Sequence, residues 1–211
     1  MKQILVYGDS LTWGIIPGTR DRLSFAQRWP AILEAGLLRT GTAVRVIEDA
    51  LNGRRTVWDD PFKPGRSGLA GIEQRIEVNS PLALVILMLG TNDFQSVHQL
   101  NASHAAQGIA SIVRAIRRAP IEPGMAVPPV LIVAPPRPGA AAGTMAEKFL
   151  DARERSGGLS EAYASIAAEM NCAFFDAGLV ITPSAVDGVH LDAGQHDILG
   201  RQLLEPVGKL V

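Results

Sequence analysis

Cysteine is almost missing from this chain. Cys172 stands alone among 211 residues, so no internal disulfide can form, and a reducing compartment suits the protein. An excess of one charge is also missing. Lys and Arg total 20 against 21 Asp and Glu, which leaves no basic field for nucleic acid. Arg54-Arg55 is an isolated pair, and Arg114 with Arg117-Arg118 reads as solvated surface. Long apolar runs are lacking too. The longest, Leu82 to Leu89, falls far short of the roughly 20 residues that span a bilayer. Met1-Lys2 leads at once into Gln3-Ile4-Leu5-Val6-Tyr7, with no signal-peptide core or cleavage site. The expectation is a cytoplasmic protein with no membrane or nucleic-acid partner. No repeat or linker divides the chain, so residues 1–211 read as one domain.

Several chemical signatures are absent as well. No phosphate-binding Gly-rich loop follows the first apolar run. The Gly-x-Ser-x-Gly elbow is missing, because Thr12 stands two residues after Ser10. His190 and His196, taken with Asp187 or Asp192, match no metal-ligand spacing. No metal and no cofactor are expected.

What remains is a regular alternation. Five short runs rich in Val, Ile and Leu read as strands: Ile4–Tyr7, Val44–Ile47, Leu82–Leu89, Val130–Ala134 and Ala173–Phe175. They show little polar alternation, as strands buried on both faces do. Helical spacing lies between them. Trp29, Ile32, Leu33 and Leu37 share a face, as do Leu69, Ile72 and Ile76. So do Ile109, Ile112, Val113 and Ile116, and then Leu159, Tyr163, Ile166 and Met170. A last helix is expected from about Ala193 to the C-terminus, with Asp192 as its N-cap. This βαβα order predicts a single three-layer α/β/α domain. Two Pro/Gly-rich segments, Thr56–Gly68 and Pro135–Thr144, follow strands and should lie at the carboxyl edge of the sheet, where such folds bind ligands.

Three segments carry chemistry, each just past a predicted element. Gly8-Asp9-Ser10-Leu11 projects a hydroxyl from the end of the first strand. Gly90-Thr91-Asn92-Asp93 offers an amide donor. In Asp187-Gly188-Val189-His190, the three-residue spacing lets the carboxylate accept from the imidazole Nδ1, leaving Nε2 free to face a hydroxyl. Each segment alone is good turn chemistry. Together they supply a nucleophile, an oxyanion donor, a base and its orienting carboxylate. Asn52-Gly53 adds a backbone N–H that can approach a bound group closely. Asp9, Leu11, Trp13, Asn52, Asp93 and Val189 are the expected substrate neighbours, with Trp13 either walling a small acyl pocket or packing in the core. His98 and His104 are read as surface histidines, and Cys172 as a small buried hydrophobe.

With those residues in place, the chain resembles the SGNH (GDSL) hydrolase superfamily. The matching blocks are Gly8-Asp9-Ser10-Leu11, Asn52-Gly53, Gly90-Thr91-Asn92-Asp93 and Asp187-Gly188-Val189-His190. The bacterial arylesterase/acyltransferase branch is similar over longer stretches: Gly8 to Gly14, Val85 to Asp93, Phe174 to Gly178, and Arg54 with Thr56. The resemblance implies a flavodoxin-like fold with a five-stranded parallel sheet. It implies Ser10 as nucleophile, His190 as base and Asp187 as orienter. The oxyanion donors it implies are the Ser10 N–H, the Gly53 N–H and the Asn92 side chain. It also implies short-chain acyl esters as substrates, among them aryl acetates and acetylated carbohydrates, and assembly into a tetramer or octamer. Apolar loop residues such as Trp58 and Phe62 fit a homo-oligomer. The same residues would serve acyl transfer to an alcohol. A thioesterase or lysophospholipase would need a longer acyl groove, and a binding module would need no complete triad.

Overall fold

The computed structural model describes Met1–Val211. Its five strands form one all-parallel sheet in the order β2-β1-β3-β4-β5. They are β1 (Lys2–Gly8), β2 (Val44–Ala50), β3 (Leu84–Met88), β4 (Val130–Ala134) and β5 (Ala173–Asp176). This is the doubly wound flavodoxin-like order, with β1 and β3 adjacent at the point where the winding reverses. Ile4 pairs with Val46 on one side and with Leu84 on the other.

Because side chains alternate along a strand, neighbouring residues feed opposite layers. Leu5, Tyr7, Val85, Leu87 and Ile132 share a core with α3 (Ile72–Asn79), α4 (Ala102–Arg118), Ala152 of the short α5 (Ala152–Arg155) and α6 (Leu159–Glu169). Ile4, Val6, Leu84, Ile86, Leu131 and Val133 pack with Trp29, Leu33 and Leu37 of α2 (Trp29–Arg39) and Leu199 of α7 (Ala193–Gln202). Both faces of the inner strands β3 and β4 are therefore dry, which explains their unbroken apolar runs, whereas the edge strand β2 carries an exposed Arg45 and half-buried Glu48 and Asp49. The longest helix, α4, starts at Asn101, whose side chain accepts from His104 N while His104 Nδ1 accepts from Asn101 N. It ends with Arg117 and Arg118, which suit the negative end of its dipole.

Several element bounds differ from those expected, and β2 runs on from Ile47 to Ala50. The predicted strand Leu82–Leu89 is trimmed to Leu84–Met88. The helix predicted from Leu69 begins at Ile72, with Leu69 in the preceding turn. The final helix is two helices, α7 and then α8 (Leu204–Gly208). Pro206 accounts for the break: it has no N–H for the Gln202 carbonyl, and its ring would crowd that group. Asp192 holds the N-cap position of α7, without a side-chain bond. No helix is long and apolar enough to cross a membrane.

Candidate active site

The carboxyl edge gathers the loops that follow each strand. After β1, Asp9 turns its carboxylate back to accept from Leu11 N at 2.9 Å and so opens the one-turn helix α1 (Ser10–Trp13). Ser10 is the first residue of that turn, where helix geometry leaves the N–H without a partner inside the helix. After β2 comes Gly53, at φ +85°, a left-handed backbone that favours glycine. Its N–H has no acceptor elsewhere in the chain.

After β3, residues Thr91–Phe94 form a short 3₁₀ turn that buries Asn92 and Asp93. Gln95 Nε2 donates to Asn92 Oδ1 at 2.7 Å, which fixes which end of the Asn92 amide is the donor. Asn92 Nδ2 then donates to Asp9 Oδ2 at 3.0 Å and to the Arg54 carbonyl at 3.2 Å. Asp93 accepts from the backbone N–H and the hydroxyl of Thr56.

The late loop brings an imidazole and a carboxylate together. His190 Nδ1 lies 2.7 Å from Asp187 Oδ2. Asp187 also accepts from Val189 N, His190 N and Gly18 N, at 3.0, 2.9 and 3.1 Å. Burial raises the Asp187 carboxyl, but the bonds from His190 and the backbone outweigh it and hold the group below its ordinary value. Gly188 makes this loop possible. It sits at φ +74°, and a Cβ there would lie 2.3 Å from the Ala140 carbonyl oxygen. The predicted edge segment Pro135–Thr144 buttresses the loop: Gly139 N donates to Gly188 O, and Ala142 N to Asp187 O.

Ser10, Gly53, Asn92 and His190 line one cleft of about 50 Å³. That is room for about four water-sized groups. Ser10 is 5% exposed and His190 6%. Asn52, Ile15, Met145 and Phe149 complete the near wall, while Arg20, Asp60, Lys63 and Lys148 stand around it. The predicted loop Thr56–Gly68 does reach the site, through Asp60 and Lys63.

Of the six expected substrate neighbours, only Asn52 lines this cleft. Asp9 and Asp93 lie behind it, consumed by Leu11, Asn92 and Thr56. Burial raises their pKa values to about 7 and about 6. Leu11 and Val189 point into the two hydrophobic layers. Trp13 is half-buried beneath the Arg22 guanidinium, 4.6 Å from its ring centre, and Arg22 Nε donates to the Trp13 carbonyl. The apolar wall expected of Trp13 is supplied by Ile15, Met145 and Phe149. His98 is half-buried on the Asp59 carbonyl, and His104 is exposed at the start of α4. His196 is far from the imidazole role. It is buried, accepts from Trp29 N, and is driven by burial down to about 4. Cys172 is half-buried, less enclosed than expected. No three His, Cys, Asp or Glu side chains are placed to hold a metal ion.

Sequence reasoning overlooked the interior arginines. Arg54 Nη1 bonds the carbonyls of Gly8 and Asp49, its Nη2 meets Asp49 Oδ1 at 2.7 Å, and its guanidinium lies 3.9 Å from the Tyr7 ring centre. It ties the ends of β1 and β2 together. Arg55 is fully buried. It donates to Gln95 Oε1 and places Nη1 3.0 Å from Asp60 Oδ2, near enough for ion pairing although off line for a hydrogen bond. The available signal was their position, directly after Asn52-Gly53 in a loop at the ligand edge.

The family described as GDSL-like lipase/acylhydrolase matches residues 6–198. Among solved structures, the inhibitor-bound aryl esterase of M. smegmatis is 32% identical, with a TM-score of 0.94 and full coverage of both chains. Est24, a carbohydrate acetylesterase from Sinorhizobium meliloti, has the same identity, TM-score and coverage. A carbohydrate acetylesterase family member from Sinorhizobium meliloti is 35% identical with a TM-score of 0.92, over 100% of this chain and 99% of that one. No curated protein sequence matches significantly.

Proposed function

From its place in the GDSL-like lipase/acylhydrolase family, to which the chain belongs, we infer that this protein is a serine esterase acting on short-chain acyl esters through an acyl-serine intermediate. One observation carries the reading: an imidazole held by a carboxylate at 2.7 Å opens onto the same small cleft as Ser10, the Gly53 backbone and Asn92.

In this reading Ser10 Oγ attacks the ester carbonyl carbon while His190 Nε2 takes the hydroxyl proton. Asp187 stays ionised, keeps the proton on Nδ1 and stabilises the imidazolium. Its lowered pKa suits that duty. The carbonyl oxygen becomes an oxyanion facing the N–H groups of Ser10 and Gly53. Gly53 is suited to the role because its N–H has no other acceptor. Asn92 joins through the proton it shares with the Arg54 carbonyl, the longer of its two bonds, while Asp9 holds the other. The tetrahedral species expels the alcohol, protonated by His190. Water then attacks the acyl-serine with His190 as base, releasing the acid and restoring Ser10.

The small volume beside Ser10 favours acetyl over long acyl chains. The test is a series of p-nitrophenyl esters together with fluorophosphonate labelling of Ser10. The expected result is a rate maximum at acetate or propionate and a single labelled peptide carrying Ser10. Faster turnover of long chains would remove the acyl assignment, and an unlabelled Ser10 would remove the mechanism.

A further inference from the structure

Three cations surround the cleft, each delivered by a different connection: Arg20 between α1 and α2, Lys63 between β2 and α3, and Lys148 beyond β4. None of them has an ion-pair or hydrogen-bond partner for its side chain. Eight of the other 17 Lys and Arg side chains form ion pairs, among them Arg22 and Arg28 with Glu48, Arg54 and Arg75 with Asp49, and Arg118 with Glu73. The single carboxylate on the cleft besides the one holding His190 is Asp60, and it is matched by the buried Arg55. A chain of net charge −1 thus places three unmatched positive charges around one nucleophile. Burial, and then the fields of Arg55, Arg20 and Lys63, hold the Lys148 ammonium below its ordinary value despite Asp60. A bound anion would relieve that repulsion.

The space available supports the same conclusion. Asp60, Lys63 and Lys148 also line a neighbouring groove of about 450 Å³, against about 50 Å³ for the cleft beside Ser10. The groove is edged by exposed Phe62 and Val97, with Glu147 as its other carboxylate. It is of a size that holds a ring-bearing molecule. The small cleft suits the acyl group, so the larger groove on the far side of the shared residues Asp60, Lys63 and Lys148 is left for the alcohol portion.

Building on the esterase reading, we propose that the preferred substrates are esters whose alcohol portion carries an anion, such as a carboxylated phenol or a sugar acid, held between Arg20, Lys63 and Lys148. The anion is bound and oriented by the cations, and the bond broken remains the ester bond next to Ser10.

The test compares para-acetoxybenzoate, its methyl ester and para-acetoxy-N,N,N-trimethylanilinium on the full chain. Each kcat/KM is divided by the hydroxide hydrolysis rate constant, which removes differences in leaving-group reactivity. The expected order is anion, neutral, cation, with about a tenfold advantage of anion over neutral. That advantage should shrink toward one as ionic strength rises from about 20 mM to about 0.5 M. The combined variant Arg20→Gln, Lys63→Gln, Lys148→Gln should reduce the anion-to-neutral ratio to about one, while Arg114→Gln, an exposed arginine on α4, should keep the wild-type ratio. The salt series on the wild type stands even if the combined variant fails to fold. A wild-type ratio at or below one overturns the proposal, as does an unchanged ratio in the folded combined variant. A preference seen for monophenyl succinate over its methyl ester, and not for para-acetoxybenzoate, overturns the placement on the alcohol side. Failure of every ester together with an unlabelled Ser10 would instead remove the esterase reading itself.

Discussion

Behind Ser10 and in front of it, the molecule treats charge in opposite ways. At the back, Asp9, Asp93, Arg54 and Arg55 are all buried, and each is bound to a named partner on another segment. At the front, Arg20, Lys63 and Lys148 stand around the cleft with no partner in the chain. The back is a scaffold. Leaving one of its groups unpaired would cost about 1–3 kcal/mol or more, so the loops are locked in register. The front costs less to leave open, because Arg20, Lys63 and Lys148 keep contact with water, although partial burial and neighbouring cations still hold the Lys148 ammonium below its ordinary value. Rigid positioning and ligand selection are thereby assigned to different residues of the same loops.

The comparison breaks first at the nucleophile. Ser10→Ala should lower kcat by roughly 10⁶-fold with an unchanged unfolding midpoint, as removal of the nucleophile does in other triads. Appreciable turnover by the folded variant would show that another group attacks. Asp187→Asn should cost up to about 10⁴ in kcat, because the amide no longer holds the Nδ1 proton. Steady-state kinetics equal to wild type would exclude the orienting role.

Asn92→Ala tests whether scaffold and machinery meet in one residue. It should lower kcat by about 10²–10³ with little change in KM. It also removes a partner of Asp9, so a thermal melt belongs beside the kinetics. A loss confined to KM would make Asn92 a scaffold residue only.

The buried carboxyls make the scaffold sensitive to pH. Asp93 has its folded-state pKa raised to about 6, so the folded protein holds this proton more tightly than the unfolded chain. Its contribution to stability is complete below the unfolded pKa, near 4, and is lost as pH rises through 6. Asp93→Asn, which can still accept from Thr56 N, should therefore gain on the wild type by up to about 3 kcal/mol between about pH 4 and pH 8. Urea denaturation at the two pH values checks this, and a constant difference between the proteins would refute it. The smallest effect separates pocket wall from packing. Met145→Ala should move preference from acetate toward butyrate by about tenfold, and Trp13→Ala should leave it in place.

Much of this was legible in the chain itself. The all-apolar inner strands β3 and β4 reported a sheet covered on both faces, because burial removes polar alternation. The pair Asp187 and His190 was legible because the contact is local, spanning three residues in one turn. Leu11, Asp93 and Val189 lie outside the cleft because adjacency to a motif residue says nothing about direction, and successive side chains leave a turn on different sides. Between the two readings of Trp13, the cover of Arg22, which comes from a later part of the loop, favours packing.

Sequence alone therefore determined the layers, the order of the chemistry-bearing loops and the one base–carboxylate contact, since each depends on periodicity or short spacing. Only the tertiary structure decided which groups behind Asn92 would be paired and which cations would be left free. Those outcomes depend on contacts between residues as far apart as Asp9 and Asn92, or on Arg20, Lys63 and Lys148 meeting at one edge. No local pattern encodes them, because it is the winding of the sheet that brings those loops together.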